Sequence, residues 1–247
     1  MMNDKDAPRN DSEDNYDLTD FLVTYYGEDM EPYESDSPGR WIEAAEDGDP
    51  EAQCNIGFCY RRGLGVKKDS RKAVEWYRMA AEQGHARAQN NLGYLYQIGD
   101  GVRKDCAIAA MWYTKAAEQG YDAAQCNLGV LYHNGAGVKR DFRKSAMWYR
   151  RAAEQGEPRA QCNLGDMYQQ GHGVDQDYHE AFKWFQRSAE GGDVEGQFQL
   201  ALLYIQGLGV EENRYEAKMW LRRAADAGHP HAGGLLKDMR REDEDIW

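Results

Sequence analysis

No stretch of this chain approaches the roughly 20 consecutive apolar residues that a membrane-spanning helix requires. Basic charge is also scarce: 30 Lys and Arg face 43 Asp and Glu, for a formal charge of −13. That balance disfavours nucleic acid and anionic membrane surfaces, both of which select basic stripes. Cysteine is sparse and odd in number, and no CxxC occurs among Cys54, Cys59, Cys106, Cys126 and Cys162. A disulfide framework or zinc site is thereby disfavoured; free thiols in a reducing, cytoplasmic setting are expected. The opening residues, Met1 to Asp6, show no basic region followed by an apolar stretch, so no secretory signal is read there.

The acidic charge is unevenly placed. Residues 1–38 hold twelve acidic side chains against Lys5 and Arg9, a net of −10 that leaves about −3 for everything else. Residues 1–37 are expected to be a largely disordered acidic tail. One piece differs: Leu18, Phe21, Leu22 and Tyr25 follow helical spacing, and Gly27 follows them. Residues 17–27 are therefore a candidate docking helix. A second acidic tail is read at 242–247.

The remainder repeats. Gly48, Gly84, Gly120, Gly156, Gly192 and Gly228 are spaced by 36 every time, as are Trp76, Trp112, Trp148, Trp184 and Trp220. Tyr60, Tyr96, Tyr132, Tyr168 and Tyr204 keep the same step. Such self-similarity marks a repeat array. Within a unit, Ala52, Ile56, Cys59 and Tyr60 form one helical stripe; Ala73, Trp76, Tyr77, Ala80 and Ala81 form a second. Asp49 before Pro50, and Asp69, suit helix starts. Gly84 suits a left-handed helix end. The expected fold is all-α: an α/α superhelical solenoid of helix-turn-helix units. A half unit at 38–48 precedes full units 49–84, 85–120, 121–156, 157–192 and 193–228, and a capping helix at 229–241 follows. The aromatic series are read as core. Gly57, Gly93, Gly129 and Gly165, each in mid-helix, predict close approach of a Trp or Tyr ring, because a helical glycine costs about 1 kcal/mol and needs a packing reason.

Other motifs are weak. Gly-x-Gly-Val follows a helix in all five units, so it reads as an interhelical turn plugged by valine, not a phosphate loop, which needs a preceding strand. The histidines form no HExxH-like ligand set. His229 and His231 with Asp226 suit a solvated terminus better than a metal site. No catalytic residue, metal or cofactor is expected.

The pattern carried by Ala88-Gln89, Leu92-Gly93, Tyr96, Gly99-Asp100-Gly101-Val102, Asp105, Ala109, Trp112-Tyr113, Ala116-Ala117 and Gly120 resembles the Sel-one-like repeat family, relatives of the tetratricopeptide repeats. The likeness covers about residues 39–241. It implies an adaptor that binds proteins, with no catalytic residues attached to the motif. Some exported bacterial relatives carry a cysteine pair in every repeat, a pattern missing here. An immunity-type protein that neutralises a toxin, or a regulatory subunit, is the alternative; a small-molecule binder or enzyme fits less well.

Comparing the five units with one another separates constant packing positions from variable ones. On the first helix the variable positions share one face. They are Cys54, Phe58 and Arg61; Asn90, Tyr94 and Gln97; Cys126, Val130 and His133; Cys162, Asp166 and Gln169; and Phe198, Leu202 and Ile205. This face is expected to be the concave, partner-binding groove for a protein or peptide. The apolar last trio is a candidate anchor pocket or a site covered by the N-terminal segment. A monomer is the simplest expectation.

Overall fold

The computed structural model describes residues 38–244, and the candidate docking helix at 17–27 lies outside them. Twelve helices and no strand occur among the described residues. A nine-residue α1 (Pro38–Glu46) opens the array. Five hairpins follow: α2 (Pro50–Arg62) with α3 (Ser70–Glu82), α4 (Ala86–Ile98) with α5 (Cys106–Glu118), and α6 (Asp122–Asn134) with α7 (Phe142–Glu154). The last two are α8 (Pro158–Gln170) with α9 (Tyr178–Glu190), and α10 (Val194–Gln206) with α11 (Arg214–Asp226); α12 (Ala232–Glu244) closes the array. Each helix packs on the next along the chain, the nearest-neighbour order of a solenoid.

Local chemistry sets the helix limits. Asp49 caps α2 by accepting from Glu51 N, with Pro50 at the first position. Asp69, Asp105, Asp141 and Asp177 cap the second helices of the first four units in the same way, and Asn213 caps that of the fifth. Gly84 takes φ +92° after the end of α3, the left-handed turn expected of it. The closing helix starts three residues later than the 229–241 reading. The reason is His229, whose Nδ1 accepts from Ala232 N at 3.2 Å and so starts the helix beyond itself.

The mid-helix glycines meet rings as expected, and the ring is the residue after each Trp. A Cβ added at Gly57, Gly93, Gly129 or Gly165 would lie 2.6–2.9 Å from a ring carbon of Tyr77, Tyr113, Tyr149 or Phe185. These rings are fully or almost fully buried, so they cannot swing clear. Gly129→Ala should gain about 1 kcal/mol of helix propensity and lose about 1–3 kcal/mol to overpacking against Tyr149. A net loss of about 1 kcal/mol in urea denaturation is expected. A variant more stable than wild type would show that the ring does not hold the glycine in place.

Four of the five tryptophans of the 36-residue series, Trp112, Trp148, Trp184 and Trp220, are buried. Each is covered by a cation one turn later, with Lys115, Arg151, Arg187 and Arg223 at 4.3–4.7 Å from the ring centroid. Trp76 departs from the core expectation and is only partly buried. Exposed Met79 stands where the other units have the covering cation.

A glutamine ladder joins the units on the inside. Gln53, Gln89, Gln125 and Gln161 donate from Nε2 to the carbonyls of Ala45, Ala81, Ala117 and Ala153 at 3.0–3.1 Å. Gln83, Gln119 and Gln155 then donate to the Oε1 of Gln53, Gln89 and Gln125, each at 2.8 Å. The second rung stops where Gly191 and Ala227 replace glutamine, and the buried Oε1 of Gln197 is left without a hydrogen bond among the described residues.

Candidate functional site: the face of the first helices

The fifteen variable residues do form a single set of rows on α2, α4, α6, α8 and α10, but they are not uniformly open. Seven are buried: Cys54, Arg61, Asn90, Tyr94, Cys126, Val130 and Cys162. The other eight, Phe58, Gln97, His133, Asp166, Gln169, Phe198, Leu202 and Ile205, are half-buried.

The first row, Cys54, Asn90, Cys126 and Cys162, belongs to the seam between consecutive units and not to an open surface. Asn90 Oδ1 accepts from Asn127 Nδ2 at 2.9 Å. Cys126 Sγ lies 3.9 Å from Asn163 Nδ2. Burial pushes the Cys54 thiol up to about 11, and Arg87 of the next unit only partly offsets that. Cys126 and Cys162 are raised well above the thiol range for the same reason. All five cysteines are free, as expected, and these three are held in the protonated, unreactive form. The row ends at Phe198, whose ring stacks on His229 at 4.0 Å and 21°. His229 Nε2 in turn lies 3.2 Å from Glu195. The loop before α12 therefore partly covers the apolar end of the face.

The second row runs Phe58, Tyr94, Val130, Asp166 and Leu202. Tyr94 is only 7% exposed and carries the Arg61 guanidinium 5.0 Å above its ring. Tyr94, expected on the open groove face, is therefore part of the packing. Phe58 and Leu202 keep accessible area. Asp166 sits among Cys162, Tyr149 and Glu195; burial and the Glu195 charge push its carboxyl up to about 6. Among the described residues it makes no hydrogen bond or ion pair.

The third row, Arg61, Gln97, His133, Gln169 and Ile205, mixes roles. Gln97 Oε1 accepts from the hydroxyl of Tyr113 at 2.7 Å. His133 meets Phe142 edge-on at 5.1 Å, and Phe142 stacks on His172 at 4.5 Å. Gln169 Oε1 is buried with no hydrogen-bond partner among the described residues. Ile205 packs against the C-terminal core cluster.

Charged networks at the entry to the first helices were not apparent from the variable trios. Glu51 accepts from His85 at 2.8 Å and from Arg87, which also reaches Asn55 at 2.6 Å. Burial would raise the Glu51 carboxyl, but the His85 hydrogen bond and the Arg87 charge outweigh it and hold it low. Near the other end, Glu157 pairs with Arg159 at 3.3 Å, while burial raises Asp193 despite a 2.7 Å hydrogen bond from Gly196 N. The repeat offset of 36 between Glu51 and Arg87 was the available signal. No group of three or more His, Cys, Asp or Glu is arranged as metal ligands among the described residues. None of their helices is long and apolar enough to cross a membrane.

The Sel1 repeat model matches residues 50–85, 86–121, 122–157, 158–193 and 194–229, so this chain belongs to the Sel1 repeat family. Proteins of the family are generally interaction scaffolds. A protective antigen of uropathogenic Escherichia coli with the same fold is 42% identical, with a TM-score of 0.77 over 83% of this chain. The aligned part is 44% of that antigen, so this chain spans less than half its length. A Sel1 repeat protein from Oxalobacter formigenes is 36% identical, with a TM-score of 0.74 over 82% of this chain and 87% of its own. A Sel1 repeat protein from Klebsiella pneumoniae, 22% identical with a TM-score of 0.55 over 83% of this chain and 100% of its own, shares the fold. No curated protein sequence matches at comparable significance.

Proposed function

We propose that the protein is a non-enzymatic interaction scaffold that binds a peptide or partner protein along the concave face of its first helices, without a cofactor. One observation carries this reading. The row Phe58, Tyr94, Val130, Asp166, Leu202 holds a different residue in every unit, while the glycine and ring behind the first four hardly vary and give way to Ala201 and Leu221 in the fifth. A fixed frame with a variable face is how an array fits one extended partner. The five free thiols suit a reducing compartment such as the cytoplasm.

Phe58 and Leu202 are the clean probes, because both are half-buried, whereas truncating Tyr94 or Phe198 would also disturb packing. With a partner identified by affinity capture of the full chain, Phe58→Ala and Leu202→Ala should each weaken binding at least about tenfold. Thermal melting should barely move. If both variants bind like wild type, and deleting residues 1–37 abolishes binding, the acidic segment is the binding element and the face is not.

A further inference from the structure

The turns that link first to second helices lie along one edge of the stack. A Cβ built on Gly101, Gly137, Gly173 or Gly209 would meet the carbonyl oxygen of Ser70, Cys106, Phe142 or Tyr178 at 2.0–2.3 Å. Each turn thus rests on the start of the second helix of the preceding unit. The five turns make a ridge that adjoins the first-helix face at His133, whose ring meets Phe142.

The ridge changes charge along its length. Its first three turns carry Lys67, Lys68, Arg71 and Lys72; Arg103 and Lys104; and Lys139, Arg140, Arg143 and Lys144. These ten cations are a third of the 30 in the chain, and all ten are exposed. None of them is in a salt bridge among the described residues. Of the acids between them, Asp69, Asp105 and Asp141 accept backbone N–H groups as helix caps, and Asp100 is one further acid, in the second turn. In the last two turns the sign reverses, with Asp175 and Glu180 beside the Asp177 cap, then Glu211, Glu212 and Glu216, where Arg214 is paired with Glu242. The net charge of −13 conceals this basic stripe, so the whole-chain argument that no such stripe exists fails locally.

The stripe also has an apolar floor. Lys72 lies 5.1 Å from the Tyr60 ring centroid, Lys144 lies 5.2 Å from that of Tyr132, and Arg140 lies 5.4 Å from that of Phe142. Tyr132 and Val138, with Lys139, Arg140, Asp141 and Lys144, line an open cavity of about 510 Å³.

We propose that this ridge is a docking site for a short acidic peptide segment of another protein. The carboxylates lie on the cations of the first three turns, and one apolar side chain enters the Tyr132–Val138 cavity. Length and charge select this occupant. Successive units stand about 10 Å apart, a helix-packing distance, and an extended peptide advances about 3.3–3.6 Å per residue. An acid at every third position therefore keeps register with the turns, and about seven residues span all three. A long, uniformly charged polyanion such as a nucleic acid would run onto the acidic turns that follow. A short peptide ends before them.

The probe is a labelled synthetic peptide of about nine residues, with glutamate at every third position and a leucine near its centre. Its control replaces each glutamate by glutamine. Fluorescence anisotropy with the full-length protein should show the glutamate peptide binding at least about tenfold tighter than the glutamine one, an advantage lost as salt rises from about 0.05 to about 0.5 M. The triple variant Lys139→Glu, Arg140→Glu, Lys144→Glu should lose at least about tenfold, with circular dichroism unchanged. The matched variant Arg222→Glu, Lys237→Glu, Arg240→Glu, at exposed sites off the ridge, should bind like wild type. Equal binding of the two peptides, or an unaffected ridge variant, overturns the proposal. So does tighter binding of a thymidine oligonucleotide of the same length, which would assign the ridge to nucleic acid.

Discussion

Trp148→Ala is expected to remove about 3–5 kcal/mol of stability, the usual loss when a large buried aromatic is truncated. Trp148 is 7% exposed, lies on α7 in the central unit, and is covered by Arg151 at 4.7 Å. Its removal forfeits about 150–250 Å² of burial and an added cation–π contribution of about 0.5–1 kcal/mol. Position matters as well as size. In a one-dimensional array each unit is stabilised only by its neighbours, so a defect in the third unit uncouples the two before it from the two after it. Urea denaturation followed by circular dichroism should show an earlier transition that is also broader, or split in two. A loss below about 1 kcal/mol would mean that the indole is not part of the frame.

The frame was legible in the sequence because its signals are periodic. Glycine, tryptophan and tyrosine at a step of 36 place the helices and turns of the five full units, and the helical glycines announce ring contacts that the structure realises at Tyr77, Tyr113, Tyr149 and Phe185. The partner face was legible only in part. Variation between units was read as exposure, yet Cys54, Asn90, Cys126 and Cys162 vary at a buried seam. Variation is tolerated there because the same opposing asparagine of the next unit meets either partner. Asn90 meets Asn127 through a hydrogen bond, whereas Cys126 meets Asn163 through a longer sulfur contact. A rule built on a single helix cannot see that contact across units. The basic ridge escaped for a different reason: a sum over all charges erases a stripe whose neutralising acids lie elsewhere.

Asp166→Asn is expected to stabilise the protein at pH 7 by about 2 kcal/mol. The Asp166 carboxyl is pushed from an ordinary value of 3.8 up to about 6, first by burial and then by the Glu195 charge. At pH 7 the folded state therefore holds an ionised carboxylate in a site that favours the neutral acid. The sign follows from linkage. A folded-state value above the unfolded one means stability that is fully present below about pH 3.8 and lost as the pH rises through about 6. A shift of about two units corresponds to about 2–3 kcal/mol, reduced by the opening that the half-buried carboxylate keeps to solvent. Asparagine has the size of the protonated acid and no charge, so its advantage should be largest at pH 7 and vanish near pH 4. Other groups move in both directions over this range: acid weakens the Glu51 pairs and relieves Asp193. Wild type alone is thus a poor reporter, and the informative quantity is the difference between the two proteins in urea denaturation at each pH. A constant difference from pH 4 to 7 would mean that the substitution acts through packing and not through charge. No difference at pH 7 would mean that the carboxylate is solvated, and that the first-helix face is more open at Asp166 than its burial implies.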